Sequence, residues 1–184
     1  MTAEHNLAPL PDSNWPSEIA DLRDGFAGQL NVYRTMAHHP ELLRAWMDLR
    51  DHIVNGTALG PVRSEVVILR TGFRLGSEYE WLQHIERARK VGLSDARIAT
   101  AMGPKAAMSD EDTLLTNAVD ELFDTSRLTP ATRDAMIASY GKAALLDLMA
   151  TVGFYSTLGF MLNSFDTPLD DDIRARLEEH PFDP

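Results

Sequence analysis

A glutamate and a histidine lie four residues apart in a stretch with the apolar spacing of a helix, and a second glutamate precedes them. A helix advances about 100° per residue, which places four side chains on one face: Ser77, Glu80, Trp81 and His84. Three of these can form hydrogen bonds or transfer protons, and the fourth is an indole. The stretch is therefore the first candidate for a catalytic site.

The second glutamate, Glu65, lies in an apolar run with Val62 and Ile68 on its face. A carboxyl group in such a stripe must be paired or must carry a raised pKa. Two interpretations stay open. Glu65 is either a structural acid, bonded to a backbone amide or to an arginine such as Arg63 or Arg70, or an acid placed for proton transfer.

For Glu80 and His84 the simpler interpretation is a surface pair worth a few tenths of a kcal/mol. Their side of the helix also carries Ile85 and Ala88, however, which predicts that both side chains point inward. An imidazole, with an ordinary pKa of about 6.5, suits general acid–base catalysis. The charged residues of this helix are expected on its exposed side: Glu78, Glu86, Arg87, Arg89 and Lys90.

The composition restricts the classes of partner. Acidic residues number 28 and basic ones 17, which gives a net charge of −11. Nucleic acids and anionic membranes would be repelled at long range, so neither is a predicted partner. An anionic small-molecule substrate is compatible with this charge, because one or two arginines in a pocket can override the overall field. The absence of cysteine excludes disulfides, thiolate metal sites and thiol catalysis.

Helical spacing recurs along the chain and no window alternates with a period of two, so the predicted fold class is all-α. Residues 1–16, rich in proline, should form an extended arm held against the core or another subunit by Leu10 and Trp15. One helical domain is predicted for residues 17–169 and an acidic tail with a short helix for 170–184. No basic-then-apolar signal and no apolar run of about 18 residues is found, so we expect a cytoplasmic protein.

Glycine and serine mark the ends of several predicted helices. Ser17 should cap the first helix, which Gly25 and Gly28 are expected to break. The longest apolar segment, residues 142–165, is predicted to be a helix buried on nearly all sides.

The stretch from Glu65 to His84 resembles the carboxymuconolactone decarboxylase family, which includes the alkylhydroperoxidase D proteins. In the peroxidase branch of that family, a glutamate is followed after eleven residues by a cysteine, after two more by another cysteine, and after three more by a histidine. This sequence has Glu65, Ser77, Glu80 and His84 at those positions. Serine and glutamate thus replace the two cysteines, and the similarity extends over roughly residues 30–169.

The resemblance implies the family's alkylhydroperoxidase D-like helical bundle, assembled as a homo-oligomer (a dimer, trimer or hexamer) with sites near the subunit contacts. Glu65 and His84 match the family's proton-relay positions. Thiol peroxidase chemistry cannot carry over without sulfur. The site is similar to the lactone decarboxylase branch, which implies cofactor-independent chemistry on an activated carbon acid, with no metal.

In the mechanism that this resemblance suggests, loss of CO₂ or of a proton leaves an enolate, which Glu65, Glu80 and His84 stabilise and protonate as catalytic residues. Decarboxylation of an unsaturated lactone acid or keto acid is the leading prediction; isomerisation, hydration and retro-aldol cleavage use the same intermediate. The predicted substrate-binding residues are two hydrogen-bond donors and two pocket walls: Ser77 and Tyr79, then Trp81 and Tyr155.

Two alternatives remain. The chain could be a non-catalytic binding or scaffold protein in which Glu65, Glu80 and His84 form a structural cluster that lines no cavity. It could also be a metal-assisted hydrolase using the same three residues, although a second histidine at a fitting spacing is missing. A cavity of a few hundred Å³ that touches Glu80 and His84 would favour an enzyme.

Overall fold

The structure, a computed structural model, describes residues 6–184. No β-strand occurs in this range, so the predicted all-α class is confirmed. The described range contains nine α-helices: α1 (Ala20–Arg23), α2 (Asn31–Met36), α3 (Pro40–Asp51), α4 (Pro61–Leu75), α5 (Glu78–Lys90), α6 (Asp95–Thr100), α7 (Asp110–Thr125), α8 (Pro130–Ser164) and α9 (Asp171–Glu179).

Helix α4 lies at the centre of the bundle and packs against α5, α7 and α8. Its apolar residues contribute to two clusters of buried side chains. One cluster joins α4, α5 and α7 to the middle of α8. The other joins α4 and the later part of α8 to α2, α3 and the amino-terminal segments. The candidate site residues on α4 and α5 are therefore enclosed by helices on both sides.

The turn between α4 and α5 forms a tight helical hairpin. Gly76 ends α4 in the left-handed conformation, with a φ of 60°, which glycine adopts without the steric cost of a Cβ atom. The backbone N–H of Ser77 donates to the carbonyl of Gly72 at 3.0 Å. A Cβ atom on Gly72 would lie 3.3 Å from the Cβ of Glu80, so glycine lets the two helices approach closely where the site begins.

A network of ion pairs joins α4 to α7. Arg70 donates to both carboxylate oxygens of Asp120 at 2.8 Å, and Arg74 donates to the same residue. Burial alone would raise the pKa of Asp120, but hydrogen bonds from Arg70, Lys105 and Arg74 outweigh it and lower that pKa to about 2. Arg63 pairs with Glu111. Neither Arg63 nor Arg70 is therefore the partner of Glu65.

The amino-terminal segment differs from its prediction at one cap. Pro16, not Ser17, precedes the first turn, and the Ser17 hydroxyl donates to Glu18 instead of accepting from a backbone N–H. The expected break is present: α1 ends at Arg23 and a separate turn follows at Phe26–Gly28. A Cβ on Gly28 would lie 1.9 Å from the Arg23 carbonyl oxygen, which explains why the chain needs glycine in this bend.

The arm packs on the chain's own core, because Leu10 and Trp15 contact the second cluster and the Arg34 guanidinium binds the Leu10 carbonyl at 2.7 Å. The first part of the predicted arm, residues 1–5, lies outside the described residues. In the tail, the predicted short helix is α9.

Helix α8 is less buried than predicted. The backbone departs from helical geometry at Gly141, with a φ of 85°, and Leu146 and Phe160 are 65% and 61% exposed. The prediction of burial on nearly all sides is therefore wrong, because one face of α8 has no neighbouring helix within residues 6–184. By length and composition α8 could cross a membrane, but 56% of its most apolar window is buried inside the protein, as in a core helix. The predicted homo-oligomer stays a prediction.

Gly72→Val tests the close approach of α4 and α5. The added methyl groups would meet Glu80, and overpacking of this kind costs about 1–3 kcal/mol of unfolding free energy. Ala143→Val, at an exposed position of α8, supplies the control, since it carries only the helix-propensity cost of valine, about 0.5 kcal/mol. Urea unfolding of both variants should separate these values; equal costs would show that the contact is not tight.

Candidate functional site

His84 lies between the two glutamates that the sequence singled out. Its Nδ1 is 2.7 Å from Oε2 of Glu65 on α4, and its Nε2 is 3.5 Å from Oε2 of Glu80 on α5. The side chains of His84 and Glu80 are each 3% exposed, and that of Glu65 is 12% exposed. The helical hairpin thus brings together the three predicted catalytic residues.

Burial controls how protons are distributed over these groups. Burial raises the pKa of Glu80 to about 8. The nearby carboxyls of Glu65 and Asp170 add to this rise, and the positive charge of Arg87 opposes it. Burial also lowers the pKa of His84, an effect that the Glu65 carboxylate only partly offsets. Near neutral pH, Glu80 therefore holds a proton and His84 is neutral.

This proton distribution fixes the histidine tautomer. A carboxylate can only accept, so the 2.7 Å contact assigns the ring proton to Nδ1, which donates to Glu65. The lone pair on Nε2 then faces the protonated carboxyl of Glu80 at 3.5 Å. A row of exchangeable protons runs from Glu80 through the imidazole to Glu65.

The cavity at Glu80 and His84 is small. Its volume is about 20 Å³, room for about one water molecule, and not the few hundred Å³ that a substrate at these two residues would need. The Arg50 guanidinium and the side chains of Gln83 and Tyr33 complete its polar wall. Glu80 Oε1, Gln83 Oε1 and Arg50 Nε are buried without a hydrogen-bond partner in residues 6–184.

A larger hollow lies on the other side of Glu65. This outer hollow, as we call it, has a volume of about 220 Å³, and its polar and charged lining consists of Ser64, Glu65, Arg87, Lys90 and Tyr155. Arg87 and Tyr155 also line the inner cavity. Glu65 is consequently the member of the proton row that a bound molecule can reach, whereas Glu80 and His84 lie behind it.

The four predicted substrate-binding residues have different environments. Tyr155 lines both hollows, and its ring packs edge-on against His84 with centroids 5.0 Å apart. Burial raises the pKa of Tyr155 well above its ordinary value, so its hydroxyl remains a donor. Tyr79 lines the inner cavity but donates its hydroxyl proton to Asp170.

The other two do not line either hollow. Ser77 is buried, and its hydroxyl has no partner among the described residues. Trp81 points to the first core cluster and packs edge-on against Phe182, with ring centroids 6.2 Å apart. The indole lies on the side of α5 that faces the carboxyl-terminal segment, so the role of Trp81 as a pocket wall stays a prediction.

Arg87 is the main residue that the sequence analysis placed wrongly. It was predicted on the exposed face, yet it is half-buried and lines both hollows. Its spacing from Glu80, Gln83 and His84 is that of one helical stripe, i, i+3, i+4 and i+7, which could have revealed it. Glu86, also predicted to be exposed, is buried and pairs with Arg89.

No group of three or more His, Asp or Glu side chains within residues 6–184 is arranged to hold a metal ion. Glu65 and Glu80 approach His84 from opposite sides of the imidazole ring, at Nδ1 and at Nε2. The three side chains are arranged as a proton row and not around a common centre.

Comparison with known proteins gives a family match over part of the chain. Residues 40–124, which contain Glu65, Glu80 and His84, match the model of the Carboxymuconolactone decarboxylase family. The predicted family resemblance is confirmed. No curated protein matches the chain.

Solved structures with this fold include the debrominase Bmp8, seen both without ligand and as a cysteine-to-alanine variant in complex with 2,3,4-tribromopyrrole. The variant is 17% identical with a TM-score of 0.71, over 94% of this chain and 96% of that one. An alkylhydroperoxidase AhpD core protein, an uncharacterized peroxidase-related protein from Ralstonia eutropha JMP134, is 16% identical with a TM-score of 0.72, over 92% and 95%. At these identities the likeness establishes the fold, an alkylhydroperoxidase D-like helical bundle.

Glu80→Gln tests the proton that burial keeps on Glu80. The folded protein holds this proton up to about pH 8 and the unfolded chain only to about pH 4.5, so the stability contribution is complete below pH 4.5 and is lost as the pH rises through 8. The neutral amide has no such dependence. The unfolding free energy of the variant minus that of wild type should therefore rise by on the order of a few kcal/mol as the pH increases from about 5 to about 9.

Urea unfolding at a series of pH values measures this difference. Glu78→Gln, at an exposed position of the same helix, should show no such trend. A difference between Glu80→Gln and wild type that stays constant with pH would mean that Glu80 is already ionised in the folded protein.

Proposed function

We propose that the chain is an enzyme that transfers protons to and from an activated carbon acid, with decarboxylation of an unsaturated lactone acid or keto acid as the leading reaction. The observation that carries the proposal is the proton row Glu80–His84–Glu65, which starts in the core and ends at the outer hollow. A row with one end buried and one end open can deliver a proton to a bound molecule without admitting bulk water.

In this mechanism the substrate binds in the outer hollow with its acidic carbon beside Glu65. Its C–C bond to the carboxylate breaks, CO₂ leaves, and the electron pair remains as an enolate. Glu80 gives its proton to Nε2 of His84, Nδ1 gives its proton to Glu65, and Glu65 protonates the carbon to form the new C–H bond. Solvent then returns one proton to Glu65 through the outer hollow; Glu65 passes it to Nδ1 while Nε2 gives its proton back to Glu80, so the reaction balances and the resting tautomer is restored.

The enolate needs a hydrogen-bond donor while it exists. Tyr155 supplies one, since its hydroxyl stays protonated and its side chain lines the outer hollow. The Arg87 cation lies in the same wall and offsets the negative charge on Glu65. The site therefore contains an acid, a donor and a cation without any sulfur.

A non-catalytic role is the second candidate, and the size of the inner cavity favours it. A volume of about 20 Å³ excludes a substrate at Glu80 and His84 themselves, so these two residues would then form a structural cluster with Glu65. The 220 Å³ outer hollow at Glu65 argues for the enzyme instead, because a purely structural cluster has no need of an open face.

Turnover of a panel of unsaturated lactone acids and β-keto acids tests the proposal, with CO₂ release and exchange of substrate C–H for deuterium as the measurements. Glu65→Gln and His84→Gln should each lower kcat/KM by about 10²- to 10⁴-fold, the usual contribution of a general acid or base. The matched control is Glu78→Gln, an exposed acid on the same helical hairpin, which should leave turnover unchanged. Equal turnover by wild type and Glu65→Gln, or no turnover of any panel member, would contradict the proposal.

A further inference from the structure

We infer that the outer hollow is a binding site for a small organic anion, whose carboxylate is held by Arg87 and Lys90. The inference names the substrate class of the proposed reaction, and it rests on that proposal for what happens to the anion once bound. Binding itself can be measured without turnover.

The first argument is that neither cation has a carboxylate within ion-pair distance among residues 6–184, although the chain is rich in carboxylates. Neither Arg87 nor Lys90 makes an ion pair within 4.0 Å in the described part of the chain. Several other arginines of the bundle are paired, as Arg89 is with Asp95 and Arg70 with Asp120, whereas others such as Arg174 are not within the described range. Acidic residues outnumber basic ones by 28 to 17, so a scarcity of carboxylates does not explain two unpaired cations side by side.

The second argument is the placement of these cations. Arg87 and Lys90 are three positions apart on α5, which puts them on neighbouring turns of one helix face. Both line the outer hollow. A guanidinium and an ammonium that face one volume provide several hydrogen-bond donors for a carboxylate, and a charge-assisted bond of this type is stronger than a neutral one.

The third argument compares the charge of the hollow with that of others. The outer hollow contains two cations, Arg87 and Lys90, and one carboxylate, Glu65, a balance of +1. Three larger hollows each contain one arginine and two carboxylates, a net charge of −1. The first, of about 570 Å³, has Arg174 with Glu78 and Asp166. The second, of about 320 Å³, has Arg44 with Glu18 and Glu41, and the third, of about 560 Å³, has Arg97 with Glu111 and Asp112. Of these four, only the outer hollow attracts an anion.

The remaining walls determine the rest of the ligand. They are apolar and consist of Ile53, Val54, Pro61, Ile68 and Val91. A volume of about 220 Å³ is below the range of about 300–1,000 Å³ that holds drug-sized molecules. The ligand is therefore a small carboxylate with an apolar or unsaturated body, which lies against these walls with Glu65 at its side.

Benzoate and its neutral isostere benzamide are suitable probes, and calorimetry or NMR titration of the full chain at low salt measures their binding. Wild type should bind benzoate saturably and more tightly than benzamide, and the affinity should fall with added salt because the contact is electrostatic. Arg87→Gln and Lys90→Gln should each weaken benzoate binding by about tenfold or more, the value of one charge-assisted hydrogen bond.

Arg174→Gln is the matched control, because Arg174 also lacks an ion pair in the described range but lines the 570 Å³ hollow. It should leave benzoate binding unchanged. Lys90 is exposed, so Lys90→Gln reports on the site even where Arg87→Gln disturbs folding. Equal affinity for the two probes, no saturable benzoate binding, or loss of binding in Arg174→Gln alone would each overturn the inference.

The outcome is separable from that of the proposed reaction. Benzoate binding that depends on Arg87 and Lys90, without turnover of any carbon acid, would keep the anion site and refute the enzyme. Turnover that depends on Glu65, with benzoate binding indifferent to Arg87 and Lys90, would keep the enzyme and refute the anion site.

Discussion

The structure depends on a buried imidazole held between two carboxyl groups that cannot both be ionised beside it without a large cost. His84 and Glu80 are almost inaccessible to water, and Glu65 is only slightly more exposed. Each unpaired charge that is buried in this way destabilises the folded protein. Keeping a proton on Glu80 and none on Nε2 of His84 leaves one negative charge, on Glu65, and the nearby Arg87 cation offsets it.

The helical hairpin provides this arrangement. Gly76 reverses the chain between α4 and α5, and Gly72 lets α5 approach α4 where Glu80 begins the site. Residues 65 and 84 are thereby placed within hydrogen-bond distance. The same packing divides the space around the imidazole into an inner cavity for about one water and the outer hollow. Of the three groups, only Glu65 lines the space that is large enough for a small molecule.

Much of this site could be predicted from local spacing. The spacing of Glu80 and His84 predicted that both side chains point inward, and both are buried. The apolar run around Glu65 predicted a paired or protonated acid, and Glu65 is paired with His84. Arg87 was misplaced because its neighbour in sequence, Glu86, and the other charged residues of α5 look like one exposed face. Periodicity alone does not say how wide a buried face is. On α5 it is wider than expected, because α4 and α8 cover one side and α9 the other.

Other features could not be predicted from the sequence. Tyr33 and Arg50 reach the inner cavity from α2 and α3, and nothing near them in the chain indicates this. Trp81 shares a helix face with His84 on a helical wheel, yet the contact with Phe182 turns it to the other side of α5. The volumes of the two hollows depend on side-chain packing among five helices, which spacing does not encode.

The central claim concerns the protonation of His84, and ¹⁵N NMR of its imidazole ring over a pH series measures this directly. We expect a neutral ring at pH 7 with the proton on Nδ1, and a pKa below the ordinary value of about 6.5. An imidazolium at pH 7, a pKa at or above 6.5, or a neutral ring protonated on Nε2 would contradict the proton row on which the proposed chemistry depends.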